Sequence, residues 1–372
     1  MKYLMSKFNI LFLSLVVLVA CQNNSQQTEA SAKEETSDSQ VVDTLKYEKE
    51  RHIQNLRQLT FGGDNAEAYF SFDNQSLIFQ ATNPKWDIAC DQIFYMSTDG
   101  YEGERPPMVS TGKGRTTCSY FMPGDSTVVY ASTHLGAEEC PETPRVVNGK
   151  YVWPVYETFD IFVADLEGNI VDQLTDTPGY DAEATLSPDG SLIVFTSDRS
   201  GDLELYTMKT DGSDVKQVTD GLGYDGGAFF SPDGTKLIFR ASRPQTEEAI
   251  KVYKDLLAEG LVQPTDMELY VCNVDGSDLQ KITDLGGANW APYFHPSGEK
   301  VIFATNHHSK SGRQFNLFMI NLDGTGLEQI TYDETFDSFA MFSPDGKKLV
   351  FASNRNNGGT RDTNVFIADW VD

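Results

Sequence analysis

Phe-Ser-Pro-Asp-Gly, at Phe230–Gly234, recurs along most of the chain and constrains its fold more than any other feature. Leu186–Gly190 and Phe342–Gly346 are close copies; Phe294–Gly298, Phe121–Asp125 and Phe70–Asn74 are weaker ones. Six copies mark a repeat architecture. The equivalent residues Ser71, Met122, Ser187, Ser231, His295 and Ser343 are 51, 65, 44, 64 and 48 residues apart. The short intervals suit a unit of roughly 40–50 residues. The two long ones each carry an insertion of about 20 residues.

Each unit has the same grammar. A first strand such as Ala228–Ser231 enters the Pro-Asp-Gly turn, where proline presets φ and glycine accepts the positive φ of the reversal. A β-branched and aromatic run follows, as in Lys236–Arg240 or Lys348–Ala352. A third, alternating run such as Leu203–Met208 ends in Asp211-Gly212, a hairpin signal repeated at Asp99, Asp275 and Asp323, with Glu167-Gly168 as a variant. The fourth ends in Leu-Thr or a close equivalent: Leu59-Thr60, Leu174-Thr175, Val218-Thr219, Ile282-Thr283 and Ile330-Thr331. Four antiparallel strands per unit predict an all-β, six-bladed β-propeller over 53–372. The last unit stops after its third strand, Asn364–Ala368, while Ile53–Thr60 reads as a fourth strand without three before it. The N-terminal strand is therefore expected to complete the last blade and remove the open edge.

Residues 1–20 read as a signal peptide. Lys2 and Lys7 precede the apolar Phe8–Ala20, which is too short for an ordinary membrane span. Leu18-Val19-Ala20-Cys21 resembles a bacterial lipobox, which implies lipidation of Cys21 and an envelope location, on the periplasmic side of the outer membrane or at the cell surface. Residues 21–52 are polar and read as a lipidated cysteine followed by a flexible tether. The formal charge of −26 becomes −28 once Lys2 and Lys7 leave, which excludes nucleic acid as a partner and favours cationic groups or divalent metals. Membrane contact is expected through the lipid alone, and the chain reads as a monomer. Of the four remaining cysteines, Cys118–Cys140 or Cys90–Cys118 is expected to pair, with Cys272 a free core thiol.

Both insertions, 134–159 and 243–267, join second to third strands and so fall on the face opposite the Pro-Asp-Gly turns. The second reads as a helix capped by Thr246, with Ala249, Ile250, Tyr253 and Leu257 on one side and Gly260 at its end. Acidic and aromatic loop residues recur on the same face. We take Tyr151, Trp153, Tyr156, Tyr180, Asp181, Glu183, Tyr224, Asp225, Trp290 and Asp337 as its candidate ligand-binding residues. Converging carboxylates suit Ca²⁺, and His134, His307 and His308 are candidate transition-metal ligands; no cofactor follows from the sequence alone. Arg199, Arg243 and Arg355 recur at one repeat position and are expected to form salt bridges between blades.

With Ser-Pro-Asp-Gly, the Leu-Thr ends and Ser197-Asp198-Arg199, residues 53–372 resemble TolB-type β-propeller repeats. That resemblance implies a Tol-type periplasmic protein acting as a scaffold that binds an envelope protein or glycan. Similar repeats occur in oligogalacturonate lyases, which makes a metal-dependent polysaccharide lyase or hydrolase the alternative, and in prolyl-oligopeptidase and tricorn-like peptidases. No Gly-x-Ser-x-Gly elbow occurs and no catalytic residue stands out, so the enzymatic reading is the weaker one.

Overall fold

The computed structural model describes residues 45–144, 146–147 and 149–372. The signal peptide, Cys21 and most of the expected tether lie outside the described residues. The remainder forms a six-bladed propeller, built as the repeat grammar requires. Its inner strands are Asp64–Phe70, Thr116–Phe121, Asp181–Leu186, Asp225–Phe230, Asn289–Phe294 and Asp337–Phe342. No helix among the described residues is long and apolar enough to cross a membrane.

The repeated residues act as hydrogen-bonding devices. In four blades the serine hydroxyl donates to the aspartate two residues on, as Ser231 does to Asp233 at 2.6 Å and Ser343 to Asp345 at 2.7 Å. The same hydroxyl accepts from the backbone N–H five residues on, as from Lys236 at 2.9 Å. The turn is thus pinned from both sides. At the end of the fourth strand the threonine hydroxyl accepts a third-strand N–H: Ile161 to Thr175 at 2.9 Å, Leu205 to Thr219 at 2.9 Å, Leu317 to Thr331 at 2.9 Å. In blade one Ser110 fills this role, accepting from Ile93 at 2.9 Å, so its fourth strand is present in a minimal form.

The ring closes as expected. Ile53–Gln58 pairs antiparallel with Asn364–Trp370, and Val365 donates to the Thr60 hydroxyl at 2.9 Å. The packed chain begins before Ile53, however. Leu45–His52 lies in turns against blades five and six, and Glu50 is fully buried. Its carboxylate accepts from the Arg355 guanidinium at 3.0 and 3.1 Å and from the Tyr332 N–H at 3.1 Å. Arg355 also holds Asp337 at 3.1 Å. The polarity of this stretch, read in the sequence as tether, serves a buried ion cluster.

Two further expectations are corrected. Arg199, Arg243 and Arg355 pair with Asp181, Asp225 and Asp337, each within its own blade, from the end of the second strand back to the head of the first. They brace blades internally. The disulfide joins Cys90 to Cys140 and leaves Cys118 free. Cys90 lies between the second and third strands of blade one and Cys140 in the insertion of blade two, whereas Cys118 sits midway along an inner strand. Cys272 is a buried free thiol, as expected.

Replacing Arg355 by Ala leaves two buried carboxylates without their cation. We expect a loss of about 3–5 kcal/mol in chemical denaturation, against less than about 1 kcal/mol for removing the exposed Arg51 that pairs with Glu328.

Candidate functional site

All six inner strands carry a bulge, and in each the bulged residue has positive φ: Glu67, Cys118, Glu183, Gly227, Ala291 and Phe339, from 40° to 60°. A bulge re-aims the side chain it carries, and five of these residues hold a conformation that costs energy outside glycine. Neighbouring blades meet through these positions. The Cys118 thiol donates to Glu67 Oε2 at 3.0 Å, and the Gly227 N–H donates to Glu183 Oε2 at 3.0 Å.

In blade four glycine replaces the bulge side chain, and Arg240 enters from the second strand. Cβ atoms built on Gly227 and Gly226 would lie 2.2 Å from the Arg240 guanidinium and 2.2 Å from the Tyr224 hydroxyl. Only glycine leaves room for both groups. Arg240 Nη2 donates to Glu183 and to the Tyr224 oxygen, and Tyr224 donates to Glu183 at 2.8 Å. Thr196 completes the shell of Glu183 at 2.7 Å. Trp153 covers the guanidinium, with 5.0 Å from ring centre to Cζ, and the Tyr224 ring lies 5.5 Å from it.

Trp153 is placed there by both insertions together. Trp153–Pro154 pairs with Leu261–Val262 of the second insertion, and Val155 donates to Gly260 O at 2.7 Å. The helix Glu247–Ala258 starts at Thr246, whose hydroxyl accepts from Ala249 at 3.1 Å. Its buried Tyr253 hydroxyl donates to Asp202 of blade three. Trp290 of blade five donates to Pro264 O at 3.1 Å and lies 5.5 Å from Trp153. The two insertions thus form one cover anchored on four successive blades.

Of the ten expected face residues, four converge: Trp153, Glu183, Tyr224 and Trp290. Tyr151 is exposed on the insertion hairpin and accepts from Trp153 Nε1 at 3.2 Å, and Tyr156 donates to Glu142 O at 2.7 Å. Tyr180 is buried edge-on against Phe159 at 5.7 Å. Asp181, Asp225 and Asp337 are bound to their arginines, so they do not present a Ca²⁺ site. Nor do the histidines meet. His134 packs on Phe162 at 4.4 Å, which lowers its pKa by burial, while His307 and His308 pack on Phe318 three blades away. Among the described residues no group of three or more His, Cys, Asp or Glu side chains is placed to hold a metal.

Arg240 and the channel position of Cys118 were not among the residues expected from the sequence. The Gly226-Gly227 pair inside a strand was the available signal, since such glycines mark a close approach by another group. The other mouth was likewise unexpected. There Phe70, Phe230, Phe294 and Phe342, with Pro188, Pro232, Pro296 and Pro344, line a 190 Å³ apolar cavity on the Pro-Asp-Gly side.

The TolB β-propeller domain matches residues 154–262 and 261–361, more than half the chain. The chain belongs to the TolB β-propeller family. Among solved structures it is similar to a protein assigned as TolB from Agrobacterium tumefaciens (20% identity, 83% of this chain and 91% of that one, TM-score 0.53). TolB from Acinetobacter baumannii is similar over 80% of this chain at 19% identity and TM-score 0.54, but this chain spans only 64% of that protein. A gluconolactonase from Xanthomonas campestris matches at 13% identity, 86% and 91% coverage and TM-score 0.55. At these identities the likenesses are of fold.

A second carboxylate cluster lies under the helix. Glu204, almost fully buried, faces Asp225 and Asp202, and its Oε2 has no ordinary donor. Burial, followed by the charge and hydrogen bond of Asp225, pushes its pKa up to about 8 against the Thr219 hydroxyl. Protonation of Glu204 relieves its repulsion from Asp225. The folded-state pKa lies above the ordinary 4.5, so this stability is complete in acid and is lost as pH rises through about 8. Glu204→Gln is expected to flatten the decline in stability between pH 5 and 8 by up to about 1 kcal/mol per pH unit in urea titrations.

Proposed function

We propose that this protein is a cell-envelope binding propeller, anchored through a lipid on Cys21, which takes a glycan or protein segment at the mouth beneath the two insertions. The observation that carries the reading is the joint cover: two loops from different blades pair with each other and set Trp153 over Arg240 and beside Trp290. Large, rigid aromatic faces next to a few fixed polar groups are the usual composition of a ligand site. Of the two ligand classes the arrangement favours a glycan, whose C–H faces stack on indole while its hydroxyls meet the exposed Tyr151. The Cys90–Cys140 disulfide suits an oxidising compartment outside the cytoplasm. The alternative, a metal-dependent lyase or hydrolase, lacks a converging ligand set among the described residues.

Trp153→Ala is expected to weaken binding to an envelope-glycan panel by tenfold or more, about 1.4 kcal/mol, in a folded variant whose denaturation midpoint is lowered by the lost packing. Unchanged binding to glycans and to any crosslinked partner would sink the reading. Cys21→Ser is expected to move the protein from the membrane to the soluble fraction, and retention in the membrane fraction would remove the anchor.

A further inference from the structure

Side chains along a strand return to the same side every second residue. Two positions beyond the bulges, the inner strands therefore carry a second inward layer: Tyr69, Tyr120, Phe229 and Tyr293 from blades one, two, four and five, with Thr185 and Met341 between them. The rings touch in sequence. Tyr69 lies 5.7 Å from Tyr120 and 5.6 Å from Phe229, and Phe229 lies 5.1 Å from Tyr293. Tyr120 and Tyr293 are joined through their hydroxyls. Tyr120, Phe229 and Tyr293 also line the apolar cavity of the other mouth, so this layer divides the channel between that cavity and the bulge residues.

The two bulge carboxylates on this floor are treated unequally. Glu183 is saturated by Arg240, Tyr224, Thr196 and the Gly227 N–H. Glu67 has a single hydrogen-bond partner among the described residues, the Cys118 thiol, and no cation pairs with it. Glu67 is half-buried, two positions before Tyr69 of the aromatic floor on its own strand. A bulge with φ of 52° holds it there. Nothing in the packing of the blade requires an acid at this position, since Ala291 and Phe339 occupy it in blades five and six.

We propose that Glu67 and the aromatic floor form a site for an organic cation, a primary ammonium or guanidinium group entering the channel. The carboxylate supplies the missing counter-charge, and Tyr69, Tyr120 and Phe229 supply ring faces and edges around the cation. The acidic surface concentrates such ligands near the protein. Arg240 already occupies the equivalent relation to Glu183, Tyr224 and Trp153, so the channel contains one internal cation seated among a carboxylate and aromatic rings. The site lies on the inner strands and stands independently of ligand binding by the cover.

The cation has two sources, a free amine or the lysine side chain of a protein. The experiment is calorimetric titration of the full chain with n-butylammonium and, separately, with an end-capped peptide carrying one central lysine, at pH 8 and 0.15 M salt. Binding of both probes assigns the site to free amines, and binding of the peptide alone assigns it to a protein side chain. In either case Glu67→Gln, which keeps the shape, is expected to reduce the affinity at least tenfold, while the exposed Glu334→Gln leaves it unchanged. Burial, opposed by the Cys118 hydrogen bond and the Arg240 charge and aided by Glu183 and Asp91, raises the Glu67 carboxyl to about 7. The cation needs the ionised form, so affinity is expected to fall about tenfold from pH 8 to pH 6. No binding of either probe, or equal binding to Glu67→Gln, overturns the proposal. Loss of glycan binding in Trp153→Ala with amine binding intact separates this site from the cover.

Discussion

Everything in this molecule depends on the ring being closed. Each blade is stabilised by the blade on either side, and among the described residues the seam lies at the last blade, whose own three strands leave one edge open. Ile53–Gln58 fills it by pairing with Asn364–Trp370, which converts two exposed strand edges into one sheet. The closure is reinforced by charge. Glu50, just before the first strand, and Asp337, at the head of the sixth inner strand, share the buried guanidinium of Arg355. A buried cation bound to two carboxylates is costly to desolvate, and removing either partner leaves an uncompensated buried charge, which ties the N-terminal segment to the last blade.

Closure leaves a central channel whose chemistry is written by one residue per blade. The inner-strand bulge is common to all six, so the backbone repeats while the bulge side chain varies from Glu to Cys, Gly, Ala and Phe. That separation of scaffold from side chain allows a repeated fold to carry an asymmetric site. Blade four uses the freedom furthest. Its glycine pair gives up two side chains so that Arg240 and Tyr224 can reach Glu183.

Much of the architecture was legible because the repeat signatures are local. The Ser-Asp pair that pins four of the turns and the threonine that caps the third strand of blades two to five make their bonds within a few residues or one hairpin. The helix cap at Thr246 was readable for the same reason. The partnerships that were misread are long-range. Whether Arg199 reaches its own blade or the next depends on loop geometry, as does the choice of Cys140 over Cys118 by Cys90. Glu50 is separated from Arg355 by 305 residues, and in sequence it looks like any acid of a polar tether. Of the aromatic and acidic residues expected on one face, those repeated in several blades, Asp181, Asp225 and Asp337, turned out to brace blades. The residues that converge on the channel mouth include the unrepeated ones, Trp153 of the insertion above all.

The same contrast explains how an acidic protein can keep a selective interior. Acids at repeated positions are neutralised locally, by arginines in the blades and by hydroxyl and backbone donors in the turns. Neutralisation of that kind costs the channel nothing, because it happens at its rim and in the outer hairpins. Among the described residues the cation that faces the channel carboxylates Glu183 and Glu67 is Arg240, and it is bonded to the first. The interior is therefore short of one positive charge whenever Glu67 is ionised. Burial answers by holding the proton on Glu67 near neutrality, and an incoming cation would answer by displacing it.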